Sequence, residues 1–217
     1  MNADNNALIP VDDLGVVKHD DTVFDKIASS DFMPRIQLMT SNSKQCKSGD
    51  FPINHYAIVR GKNLTDLTAE VNLLVIAWRP KAVRMGEAVM AFFNVENPEF
   101  AKIEEDSKGT DSGCMYGPEF LVYSPTEQEY ATFFMGSKSS RSESPSMKQL
   151  IGKAATLKAQ ELSNAKYSWY ACLVTPCSTP FEIPEMEEIR EQVTKFNSAK
   201  DSEIETADEP AGEERAR

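Results

Sequence analysis

The stretch Val71-Asn-Leu-Leu-Val-Ile-Ala-Trp78 constrains this chain more than any other. Val71, Leu73, Val75 and Ala77 alternate with Leu74, Ile76 and Trp78, so a strand here is apolar on both faces. Such a strand is central and covered on both sides. Pro80 has no N–H to donate and is expected to end it, leaving Arg79, Lys81 and Arg84 clustered at its exit.

Other strands are expected to gather around this one. Pro34–Met39 alternates in the strand manner, and His55–Arg60 is a short strand ended by Gly61. Ala88–Phe93 is a further strand. Glu119–Tyr123 and Tyr130–Met135 flank Ser124-Pro125-Thr126-Glu127 as a hairpin. Tyr167–Thr175 closes the sheet. Asn97-Pro98 opens a helix with a capping side chain and a proline in the first turn, and Gly109 closes it. From Pro145 to about Asn164, Met147, Leu150, Ile151, Ala154, Leu157 and Leu162 keep helical spacing, predicting an amphipathic helix. Pro184–Phe196 reads as an acidic helix, and the chain beyond Asn197 as disordered.

Strands without regular βαβ alternation predict an α+β, mainly β fold. A small OB-like barrel with an amphipathic helix between late strands is the expected architecture. Three regions follow: an acidic mobile segment 1–31, a β-rich core 32–181, and an acidic C-terminal helix and tail 182–217.

The net charge of −11 is not spread evenly. Segment 1–31 carries −5, segment 182–217 carries −7, and the core carries +1. Within the core, 32–84 and 138–181 are basic while 85–137 is acidic. If the two basic blocks meet, they form a basic surface with the acidic block elsewhere. An acidic protein is repelled by phosphates, but acidic ends on a locally basic core remain compatible with nucleic acid.

Catalytic signatures are missing. There are two histidines, neither beside a nucleophile or metal ligand at a recognisable spacing, and no phosphate-binding glycine loop or nucleophile elbow. No enzyme activity and no cofactor are expected. The cysteines Cys46, Cys114, Cys172 and Cys177 form no C-x-x-C pair, so no metal is expected either. Met-Asn-Ala-Asp-Asn-Asn offers no basic start or apolar stretch, and the longest apolar run spans six residues, Leu73–Trp78. A reduced cytoplasmic setting without membrane association is expected.

What remains is a binding pattern. Tyr130-Ala-Thr-Phe-Phe-Met135 is an aromatic strand that breaks at Gly136 into a basic loop with Lys138 and Arg141; Tyr167-Ser-Trp-Tyr170 is a second aromatic strand. Rings stack on bases and cations hold phosphates, which is what a single-strand platform needs. The same pattern also serves an ordinary β core with a charged loop. Arg60, Lys62, Arg79, Lys81, Arg84, Lys138 and Arg141 are the candidate phosphate contacts, with Phe134, Tyr167 and Trp169 as candidate stacking residues.

A neutral-to-basic β domain with interleaved aromatics and a long acidic tail, spanning 32–217, resembles bacteriophage-type single-stranded-DNA-binding proteins. The resemblance implies a sequence-tolerant, non-enzymatic role in replication or recombination, in the host cytoplasm if the protein is viral. It also implies recruitment of replication or recombination proteins through the acidic tail, and allows a homo-oligomer. The chain departs from that pattern in ending Glu213-Glu214-Arg215-Ala216-Arg217, without a terminal aromatic. The alternatives are a virion or assembly component with the aromatics in its core, and a metal-dependent hydrolase using Asp106, Asp111 and Glu119.

Overall fold

A computed structural model describes residues 33–86, 89–109, 112–166, 168–199 and 201–204. Segment 1–31, Asp111, Tyr167 and the chain beyond 204 lie outside the described residues. The first half contains β1 (Arg35–Leu38), α1 (Lys44–Lys47), β2 (Tyr56–Arg60), β3 (Asn63–Asp66), β4 (Glu70–Arg84), β5 (Val89–Phe92) and α2 (Pro98–Asp106). The second half contains β6 (Cys114–Ser124), β7 (Glu129–Phe134), α3 (Lys138–Ser142), α4 (Ser144–Lys148), β8 (Ala154–Ser163), β9 (Ser168–Pro176), α5 (Met186–Asn197) and β10 (Ser202–Ile204).

The strands form one mostly antiparallel sheet in the order β10-β5-β4-β6-β7-β1-β2-β3, with β8 on β4 and β9 on β8. Among the described strands only the β1–β7 pair is parallel. The fold is therefore mixed and mostly sheet, as the strand-rich pattern predicts. No described helix is long and apolar enough to cross a membrane.

β4 organises the molecule, and it is longer than expected because Pro80 does not stop it. Pro80 lies opposite Pro118 of β6. Two facing prolines can only form a pair that exchanges no N–H···O bonds, so neither lacks a donor it needs. On its other side β4 pairs with β8 over Glu70–Leu74 and with β5 over Ala82–Arg84, so Pro80 falls where no strand asks for its N–H. A bulge between Val75 and Ala77 shifts the register midway.

The main core lies on one face of this sheet, among Leu73 and Val75 of β4, Phe120 and Val122 of β6, Phe133 of β7, and Ile36, Ile58 and Leu157. The sheet curls around it. The link between β3 and β4 accepts hydrogen bonds from Tyr56 at Thr68 O and from Ala159 of β8 at Ala69 O. The expected small OB-like barrel is nevertheless not closed by strand pairing among the described residues. The outer edge of β9 meets a side chain instead of a strand: the Val174 N–H donates to Glu143, at 3.3 Å.

The expected amphipathic helix Pro145–Asn164 is corrected. Within that span helix persists only in the short α4, and Gly152, at φ +75°, redirects the chain into β8. Ala154, Ala155 and Leu157 then lie opposite Leu74, Leu73 and Val71. The apolar spacing fits a helix, but the unpaired edge of β4 needs backbone partners, and that demand decides.

The C-terminal region also differs from expectation. α5 buries Ile189, Val193 and Phe196 against Leu74, Ile76, Leu121 and Tyr130, covering the face of β4 that turns away from the main core. Residues 202–204, expected to be disordered, pair with β5. Asp201 anchors that return by accepting from the Phe93 N–H at 2.6 Å and from the Asn97 side-chain amide, also at 2.6 Å. Asn97 still caps α2, as its sequence predicts, accepting from the Glu99 N–H.

Candidate nucleic-acid interface

The charge blocks do not segregate in space; the acidic block neutralises the basic one. Arg79 and Lys81 lie on the α5-covered face of β4, on either side of Glu119 from β6. Glu119 is 1% exposed and accepts from Arg79 at 2.8 and 2.6 Å and from Lys81 at 2.5 Å. Burial pushes the Glu119 carboxyl up, but the charges of Lys81 and Arg79 and their hydrogen bonds outweigh it and hold it below the usual carboxylate range. The Arg79 guanidinium lies between the rings of Phe93 and Phe196, 3.9 and 4.1 Å from their centroids, and donates to the Phe196 carbonyl. Arg79 thereby ties α5 to the sheet, while Lys81 completes the charge balance around Glu119.

Other expected phosphate contacts are engaged as well. Arg60 of β2 pairs with Glu129 of β7 and donates to Thr65 at 2.7 Å. Arg84 meets Asp106 at 3.1 Å and Glu99 at 3.7 Å on α2. Arg141 turns inward, donating to the carbonyls of Tyr116 and Gly136 at 2.8 and 2.5 Å. Lys62, at the β2–β3 turn, and Lys138, at the start of α3, are exposed. The loop expected at Gly136–Arg141 is instead the helical turn α3, capped by Ser137, whose hydroxyl accepts from the Ser140 N–H.

The expected stacking residues do not meet. Phe134 is half-buried beneath Lys81 and packs on Val83, Val89 and Ala91. Trp169, 38% exposed, lies opposite Leu162, where β8 and β9 have run past the end of β4 as a two-stranded ribbon. Phe134 lies at the level of Glu119 and Arg79, so by register the two rings are toward opposite ends of β4. Tyr167, the third candidate, is outside the described residues.

The face of β4 opposite Arg79 and Lys81 holds a different arrangement. There the main-core side of the sheet continues past the core into an open cleft of about 240 Å³, floored by Trp78 and Pro80 of β4 and Tyr116 and Pro118 of β6. Phe100 and Glu104 of α2, Val95, Arg141 of α3 and Lys148 of α4 complete the lining. Trp78 is 41% exposed, unusual for a tryptophan at the middle of a long strand. Lys148 Nζ sits 3.3 Å from the centre of its ring, and the Arg141 guanidinium lies 4.3 Å from that of Tyr116. Partial burial holds the Lys148 ammonium below its ordinary pKa.

Of the cleft residues, the sequence points to Arg141 as a phosphate contact and to Trp78 as an aromatic beside a basic cluster, though not as a stacking candidate. Tyr116 and Lys148 are not among the expected contacts. The available signal was period two: Trp78 and Pro80 cannot share a face with Arg79 and Lys81 in any strand that runs through them.

Of the three residues of the hydrolase alternative, the two described ones do not meet. Asp106 pairs with Arg84, Glu119 is enclosed by two cations, and Asp111 is not described. The cysteines stand apart: Cys46 packs by Met39 and Phe51, Cys114 against the α2 cluster, and Cys172 within the main core. Burial pushes the Cys172 thiol up to about 12, so it stays protonated and unreactive in the native state.

No family model, no curated protein and no solved structure matches this chain.

Proposed function

We propose that this protein binds single-stranded DNA without strong sequence preference, as a non-enzymatic factor in replication or recombination, and that the Trp78–Tyr116 cleft is where the strand lies. The observation that carries the reading is an exposed tryptophan and a tyrosine on adjacent strands, each with a cation over its ring. Bases stack on the rings and Lys148, Arg141 and the nearby exposed Lys138 meet the phosphates. Lys148 must leave the Trp78 ring to admit a base, and its long flexible stem makes that displacement cheap. The cleft is smaller than the roughly 300–1,000 Å³ of small-molecule pockets and open along the surface, which suits an extended strand. The OB-like reading of the curled strands belongs to this proposal, because strand faces and flanking loops would present the strand.

The runner-up is an assembly or protein-interaction module. It is favoured by the pairing of Arg60, Arg79, Lys81 and Arg84 within the chain, which gives those cations a structural role.

The test is fluorescence. The chain has two tryptophans, so a Trp169→Phe background reports on Trp78 alone. Titration with a mixed-sequence oligonucleotide should quench that emission. Trp78→Ala should weaken binding by about 1–3 kcal/mol, roughly 5- to 150-fold, with little loss of stability. Three phosphate contacts give a log–log salt slope of about −2, and Lys148→Ala should reduce it by about 0.7. A flat salt response, or an affinity indifferent to Trp78, would favour the interaction module.

A further inference from the structure

Glu104 is the one cleft residue that a phosphate-binding role leaves unexplained. It stands on α2 and lines the same cleft as Trp78 and Tyr116. Among the described residues its carboxylate has no hydrogen-bond or ion-pair partner, whereas its helix neighbours Glu99 and Asp106 both face Arg84. An ionised carboxylate repels phosphate and only accepts hydrogen bonds. The cations of the cleft come from α3 and α4 and the acid from α2, so a strand lying there has reason to turn its phosphates toward Arg141 and Lys148 and its base edges toward Glu104.

Resting on the single-strand reading above, we propose that Glu104 selects bases that carry an exocyclic amino group, so that the cleft takes cytosine, adenine and guanine in preference to thymine. The amino groups of cytosine, adenine and guanine donate to a carboxylate. Thymine presents carbonyl oxygens on both sides of its single ring N–H, and those oxygens meet the carboxylate with repulsion. The preference is modest enough for the protein to remain tolerant of sequence.

The experiment compares oligo-dC, oligo-dA and oligo-dT of equal length, by anisotropy at one low salt concentration, on the full chain and on Glu104→Gln. The native protein should hold oligo-dC and oligo-dA about fivefold or more tighter than oligo-dT. In Glu104→Gln, whose amide both donates and accepts, that ratio should fall to within about twofold, while overall affinity rises slightly with the loss of a negative charge. Glu104→Ala, which removes the acceptor, should flatten the ratio in the same way. Equal affinities in the native protein would overturn base selection and leave strand binding standing. A preference that survives both substitutions would overturn the assignment to Glu104. Failure of all three oligonucleotides to bind would overturn the single-strand reading and this inference together.

Discussion

Glu119→Gln is expected to lower folding stability by about 3–5 kcal/mol, measured as a fall in the urea midpoint with little change in slope. Glutamine keeps the volume of glutamate, so packing is preserved and the charge alone is lost. Arg79 and Lys81 remain beside it, mostly buried and facing each other without the carboxylate that reconciles them. The loss should spread to α5, because Arg79 also holds the Phe196 ring and carbonyl, and amide exchange in Met186–Asn197 should speed up. The pH dependence has a definite sign. A carboxyl held below its ordinary pKa in the folded state contributes stability that is fully present above the unfolded value, about 4.3 for glutamate. That contribution is lost as pH falls through the lower folded pKa. The native protein should therefore weaken steeply below about pH 4, and the Gln variant, already lacking the pair, should show a shallower acid limb. A midpoint shift equivalent to less than about 1 kcal/mol would mean that the triad does not hold this face together.

Gly117→Ala is expected to cost about 3 kcal/mol or more, at the top of the range for overpacking. A Cβ at position 117 would stand 2.2 Å from the carbonyl oxygen of Met135 and 3.0 Å from its carbonyl carbon. Those are backbone atoms at the end of β7, where the Met135 N–H is bonded to the Pro118 carbonyl at 2.9 Å, so they cannot swing aside as a side chain would. The strands must separate or the turn into α3 must move. Arg141, whose Cγ would be 3.2 Å away, would be displaced from the Tyr116 ring. Both the urea midpoint and oligonucleotide affinity should therefore fall. Gly61→Ala is the control for binding: Gly61 has a positive φ, unlike Gly117, but nothing within 4 Å of its Cβ position, so its modest cost in stability should leave affinity unchanged. Intact stability in Gly117→Ala would mean that the backbone there relaxes and that the close approach is not required.

Local signals in this sequence were read correctly wherever one residue dictates its own geometry. Asn97 caps α2 because an amide side chain followed by proline has one favourable role at a helix start. The β6–β7 hairpin pairs Ser124 with Glu129 around the turn that the polar run between the two aromatic strands predicts. The apolar alternation of residues 71–78 made β4 central because both faces had to be covered.

The errors came from features whose meaning depends on a partner distant in sequence. Pro80 breaks a strand only where its missing N–H is needed, and the matching Pro118 removes that need. Residues 154–163 could satisfy helical spacing or lie along the free edge of β4, and the edge prevailed because its backbone groups required partners. The same dependence governs the site. Composition placed cations near aromatics, but it could not reveal that Glu119, forty residues after Arg79, would arrive between Arg79 and Lys81 and turn two candidate phosphate contacts into a buried ion cluster.

The sequence by itself determined the mostly β character, the central strand, the capped helix and the concentration of acid at the two ends, because propensity, alternation and charge are properties of neighbouring residues. Only the tertiary structure decided which cations are neutralised, which aromatic rings remain exposed and which of them lie together. Those outcomes follow from strand register, which sends residues 78 and 79 of one strand to opposite faces and brings Tyr116, Arg141 and Lys148 to Trp78 across the fold.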